Sequence, residues 1–198
     1  MIAPWLPHSS TRTLMMGPRV TLAFALCAIA VLAQDAPEVK LDGDDVPKGK
    51  PCSSGKKGCL EFEWGEYQGE VEDNVAHGNG LQTFKNGDKF QGGLVAGKRE
   101  GDGTYQFKNG DGYIGEFKKD QRHGWGQFYF KEKGFFWEGP WDSGTQHGNG
   151  FVYFEKISQG VFKGKWNKGE QVGELSQASH KEVAIEKNEF VGSNNDEL

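Results

Sequence analysis

The stretch YIGEFKKDQRHGWGQFYFKEKG, residues 113–134, decides how the chain folds. It holds four glycines and six aromatic residues, a mixture that suits neither a helix nor an ordinary core strand. Glycine inside a strand weakens it and marks a bend or a close backbone approach. The stretch is one of a series. An aromatic-x-Gly signature occurs at 67–69 (YQG), 90–92 (FQG), 113–115 (YIG), 137–139 (WEG) and 162–164 (FKG), at intervals of 23, 23, 24 and 25 residues. Nine residues after each of the first four glycines stands a second, at Gly78, Gly101, Gly124 and Gly148. It follows His77, Glu100, His123 or His147, and a third glycine comes two residues later. Phe84, Phe107, Phe130 and Phe154 then precede a turn, KNG in the first two units and KEKG in the third.

Each unit therefore reads as a β-hairpin: a strand, a turn of six residues, a second strand, and a short turn with Asn-Gly chemistry. Side chains alternate across a strand, so parity assigns faces. Tyr113, Gly115 and Phe117 share one face with Gly126, Phe128 and Phe130, whereas Ile114, Glu116, Gln127 and Tyr129 share the other. One face is glycine plus aromatic, and the opposite face is mostly polar.

At this point the pattern YxGxxxxxxxHGxGxxxF, repeated with a 23-residue period, closely resembles the MORN (membrane occupation and recognition nexus) repeat. The resemblance covers Tyr67 to Gly169, as four repeats and a truncated fifth, with GCLEF (58–62) as a leading half-repeat. Glu100 stands where His is usual, Phe or Trp replaces some leading tyrosines, and the fifth unit lacks His-Gly. The resemblance implies an all-β fold, a single elongated twisted antiparallel sheet of stacked hairpins. At ~4.8 Å per strand, five hairpins would extend about 50 Å.

Around this repeat domain (58–169) the sequence sets three other regions. Residues 1–33 read as a signal peptide: Arg12 and Arg19 precede the apolar run VTLAFALCAIAVLA (20–33), too short to span a bilayer, with Val31 and Ala33 suited to cleavage. An uncleaved anchor is the alternative. Residues 34–57 are a linker in which Cys52 pairs with Cys59 across a short Gly/Ser loop; intermolecular pairing is the other option that spacing leaves open. Residues 170–198 form an acidic tail with a short helix over 176–190, where Ser176 and Ser179 offer N-cap chemistry and Val183 and Phe190 share a face. The tail ends in Asn195, Asp196, Glu197 and Leu198, similar to the KDEL retrieval tetrapeptide. Together these features point to the endoplasmic reticulum lumen, or to secretion if the Asn variant is not recognised.

Several chemistries are set aside. The formal net charge is −5 and no Lys/Arg cluster tracks phosphates, so nucleic acid is excluded as a partner. His77, His123 and His147 sit in successive hairpins about 9–10 Å apart, too far to share a metal, and read as structural turn residues whose nitrogens bond backbone carbonyls. GDGYIG (110–115) matches a dinucleotide fingerprint literally but continues as a strand. Asp42, Asp44 and Asp45 read as solvated linker. No catalytic constellation and no cofactor site is expected, and the chain is not expected to be an enzyme.

The function that remains is a non-catalytic scaffold or adaptor in which an aromatic groove receives a protein partner, as a helix or an extended peptide. The expected contacts are Tyr105, Tyr113, Phe117, Phe128, Trp137, Trp141 and Trp166. Phospholipid-headgroup binding, implied by the family name, and self-assembly into a homo-oligomer through open sheet edges are the alternatives.

Overall fold

The structure is a computed structural model and describes residues 46–55, 57–154 and 160–195. Thirteen strands form one open antiparallel sheet in which sequence order is spatial order. The strands are β1 (Lys50–Pro51), β2 (Cys59–Phe62), β3 (Gly65–Glu72), β4 (Val75–Phe84), β5 (Lys89–Val95), β6 (Lys98–Gln106) and β7 (Gly112–Lys118). They continue as β8 (Gln121–Phe130), β9 (Phe135–Asp142), β10 (Thr145–Gln146), β11 (Gly148–Phe154), β12 (Val161–Asn167) and β13 (Glu170–Ala178). One helix, α1 (His180–Asn195), follows β13. Short β10 pairs with β9 beside β11. Among the described residues no helix is long and apolar enough to cross a membrane.

The hairpins are tighter than the sequence suggests. Two-residue turns, rather than six-residue ones, join β3 to β4, β5 to β6, β7 to β8, β9 to β10 and β12 to β13. Both turn residues have positive φ, as in Asp73 and Asn74 (50° and 63°) or Lys119 and Asp120 (50° and 71°). That is the type I′ geometry whose twist matches that of the flanking strands. The missing turn residues go mostly to β4, β6, β8 and β10, and the register slips in the β3–β4, β5–β6 and β7–β8 pairs. Gly115 faces Gly126 but Glu116 faces His123, leaving Gly124 and Trp125 as an insertion on one strand. Gly124 has φ +61°, the left-handed region that the bulge requires. In the first repeat, the amide of Asn79 donates to Glu70 Oε1 at 3.0 Å, so the Glu of the YQGE motif holds the bulge.

Consecutive hairpins are tied at both ends. At the two-residue turns, Gly97, Asp120, Gly144 and Gly169 donate their amides to the carbonyls of Ala76, Arg99, Arg122 and Gln146, at 2.9–3.1 Å. At the opposite ends, Asp88 and Asp111 are buried. Asp88 accepts from the Lys108 amide at 2.8 Å and from the Tyr105 hydroxyl at 2.9 Å. Asp111 accepts from the Lys131 amide at 2.8 Å.

The first strands are stapled by the Cys52–Cys59 disulfide, with Cα atoms 5.4 Å apart, and both cysteines are buried. At the other end α1 begins at His180, so residues 176–178 of the expected helix belong to β13 instead. Ser179 is the N-cap: its hydroxyl accepts from the Glu182 amide at 3.3 Å, while Glu182 accepts from the Ser179 amide at 2.7 Å. This reciprocal capping box fixes the helix start. The predicted signal segment (1–33) and Asp196, Glu197 and Leu198 lie outside the described residues, and Asn195 is the last residue of α1.

Candidate functional site

The aromatic face is sealed by its own side chains. Tyr113 lies flat across two glycines: a Cβ on Gly126 would stand 2.5–2.7 Å from its ring and hydroxyl atoms. Its edges meet Phe117 and Trp141 at 5.2 Å in T-shaped contacts. Trp137 in turn meets Trp141 at 5.3 Å and Trp166 at 5.5 Å. A second row runs from Phe84 through Tyr105, Phe107 and Phe128 to Phe130, with centroids 4.5–5.8 Å apart. Aromatic pairs in such geometry contribute about 0.5–1.5 kcal/mol each beyond their burial.

Two guanidinium groups complete this face. Arg99 is 2% exposed and stands 5.4–5.7 Å from the centroids of Phe90, Tyr105 and Phe117. Its Nε donates to Asp120 Oδ1 and its Nη2 to the Asp120 carbonyl, both at 3.0 Å. Arg122, one repeat on, lies 4.4 Å from the Trp141 centroid and donates to the Gly144 carbonyl at 2.8 Å. Ala76 and Gln146 occupy the same slot in the flanking repeats and are buried too.

Tyr105, Tyr113, Phe117, Phe128, Trp137, Trp141 and Trp166 are consequently at most 5% exposed. This corrects the expectation of an open aromatic groove: the seven residues are brought together, but as the interior of the sheet. The reason is geometric, because rings laid over glycines and packed on the next repeat cover one another without a second layer. Burial raises the tyrosine pKa values on this face, Tyr67 to about 12, with Glu70 adding to the effect, and Tyr105 and Tyr113 further still. His77 and His123 are half-buried strand residues rather than turn residues, whereas His147 is exposed and stands between β10 and β11. It is the His77 carbonyl that accepts a hydrogen bond, from the Tyr67 hydroxyl at 2.6 Å, while the His77 and His123 rings approach Glu72 and Asp142 at 3.8 and 3.9 Å.

The opposite face is divided. Its middle is a concavity of about 490 Å³ whose lining includes Thr104, Gln106, Ile114, Gln127, Tyr129 and Phe136. Ile114 is 60% exposed there. Toward the C-terminal strands the same face carries a cluster of Trp125, Phe151 and Val161, against which Val183, Tyr153 and Phe190 pack. The helix thus covers the face opposite the aromatic one. Phe136 and Tyr153, stacked at 4.3 Å with planes 10° apart, join the concavity to the covered cluster. Beneath α1, buried Glu138 accepts from Trp125 Nε1 at 3.0 Å and from the Tyr153 hydroxyl at 3.2 Å. Glu186 of α1 accepts from Asn149 at 3.2 Å and pairs with Lys163, which lowers its pKa.

Among the described residues one group has the donor atoms for a metal: Cys52, Cys59 and Glu66, within 4.8 Å of one another. The sulfurs are bonded to each other, so the oxidised chain offers only the carboxylate.

These elements define a repeat protein made of one sheet of stacked hairpins. Three MORN repeats are found in it, the family profile matching residues 67–89, 90–112 and 113–134. The hairpin pattern continues past the matched residues to β13. No curated protein matches the chain. MORN repeats are generally non-catalytic interaction modules.

Sequence reasoning missed Arg99, Arg122, Asp88 and Asp111. The aspartates could have been found, since each completes an identical KNGD turn. The arginines were hidden by the assumed six-residue turn, which removed their slot from the strand.

Proposed function

We propose that the protein is a non-catalytic MORN-repeat scaffold of the endoplasmic reticulum lumen and secretory pathway that binds a protein partner on the open face of its sheet. The observation that carries this reading is the concavity around Ile114. It offers an exposed aliphatic side chain together with Tyr129 and Phe136, alongside the neutral groups of Thr104, Gln106 and Gln127. An apolar surface edged by neutral polar groups and one carboxylate, Asp111, suits a protein surface better than a phosphate headgroup, which would call for basic residues. What supports the compartment is the apolar run at 20–33 together with the NDEL sequence at 195–198.

The test places an epitope tag upstream of Asn195 and follows localisation with and without the last four residues. Crosslinked partners are then compared between the native chain and an Ile114→Asp, Tyr129→Ala variant. Luminal retention that requires the tetrapeptide, with a protein crosslink lost in the variant, supports the reading. A crosslinking pattern indifferent to both substitutions, or a cytosolic chain, would sink it.

A further inference from the structure

The patch beneath α1 and the helix that covers it are mismatched. The sheet offers Trp125, Phe151, Val161 and Tyr153 as a continuous apolar surface. The helix returns only Val183 and Phe190, seven residues apart, while Ile185 and Val191 are 45% and 42% exposed on its outer side. The polar part of the patch is assembled by the sheet itself: Glu138 is held by Trp125 and Tyr153, with Lys187 of α1 only at 4.0 Å. Lys163 and Asn149 converge on a single acidic side chain, Glu186. Beyond the stacked Phe136–Tyr153 pair the patch runs on into the concavity at Ile114 and Tyr129, which is outside the cluster that α1 joins.

We propose that α1 is the resident occupant of a helix-docking site and that a partner helix of the same pattern takes its place. The pattern is an apolar residue, an acid three positions on, a base four positions on and a second apolar residue seven positions on, as in Val183, Glu186, Lys187 and Phe190. This inference rests on the reading of the open face as the docking face. What selects the partner over α1 is length: additional apolar side chains at one end of the partner helix reach the concavity at Ile114. The tether matters as well. Joined to β13 through Ser179 alone, α1 competes at an effective concentration in the mM range, so exchange demands a partner that contacts more of the face.

The experiment uses the full chain and, as probe, a fluorescent synthetic peptide of residues 179–195. Wild-type protein is compared with a Val183→Asp, Phe190→Asp variant whose own helix is undocked. The variant is expected to bind the probe at least ten-fold more tightly than wild type, and a Phe190→Ala probe should lose that gain. If the double variant does not fold, Glu186→Lys serves instead: it should open the site, and adding Lys163→Glu should close it again. Equal binding to both proteins, or no binding to a folded, undocked variant, overturns the proposal. So does concentration-dependent dimerisation of wild type through this patch, which would make a second copy the occupant. Failure here with crosslinks still lost on Ile114→Asp removes the role of α1 and leaves the docking face standing.

Discussion

The two faces of the sheet meet the same physical demand in different ways. On one, glycines let large rings lie along the strands, and each repeat covers its neighbour until Tyr67, Tyr105, Tyr113 and Trp137 have no exposed surface. On the other, side chains of ordinary height stand upright. The sheet there depends on α1 for cover and leaves Ile114 bare. The contrast teaches that aromatic content is a poor guide to where a single-layer sheet binds. The face richest in tryptophan is finished, and the plainer face has room.

The strongest way to break this contrast is at Arg99. Asp120→Ala strips a buried guanidinium of its carboxylate, and loss of one member of such a pair costs about 3–5 kcal/mol. Chemical denaturation should show that loss as a lower midpoint with an unchanged slope. Next comes Gly126→Ala, which pushes a methyl into the Tyr113 ring and should cost about 1–3 kcal/mol by the same measurement. Ser179→Ala removes the cap of α1 and should cost about 1 kcal/mol. Its signature in hydrogen exchange is faster exchange confined to α1, with the sheet amides unchanged.

A pH series separates the faces without mutation. Glu186 has its pKa held below the ordinary 4.5 by Lys163, so its contribution is present above that value and lost as pH falls through the folded pKa. Acid should therefore loosen α1 first, read as a change in Trp125 fluorescence that a Trp125→Phe variant lacks. The tyrosines behave oppositely. Tyr67 is raised to about 12 from 10.0, so its contribution is present below pH 10 and lost as pH rises through the folded pKa. Absorbance at the phenolate band should show the aromatic face holding in moderate alkali, with Tyr67, Tyr105 and Tyr113 ionising as it opens.

Much of this was legible in the residues. The period, the antiparallel hairpins and the alternation of Tyr113, Gly115 and Phe117 follow from spacing and parity alone. Ser179, one of the two expected cap residues, starts the helix three residues later than expected, and Val183 and Phe190 share its packed side. What parity could not convey is how far a ring reaches. Tyr113 shades both Gly115 and Gly126, and that closes the face that looked open. The side on which α1 docks was equally hidden, because Trp125 lies in the bulge at Gly124, and an assumed six-residue turn had absorbed that bulge.

The order of the strands has a consequence for synthesis. Because every hairpin pairs with the one before it, the fold needs no residue that has yet to be made, apart from the final cover of α1. Contacts of low sequence separation favour rapid assembly, and repeat arrays grow from whatever end forms first. Here that end carries the Cys52–Cys59 staple, which closes before the repeats that follow it are made. A chain threaded from its N-terminus through a narrow pore could thus fold hairpin by hairpin on the far side, each new repeat adding to a finished edge.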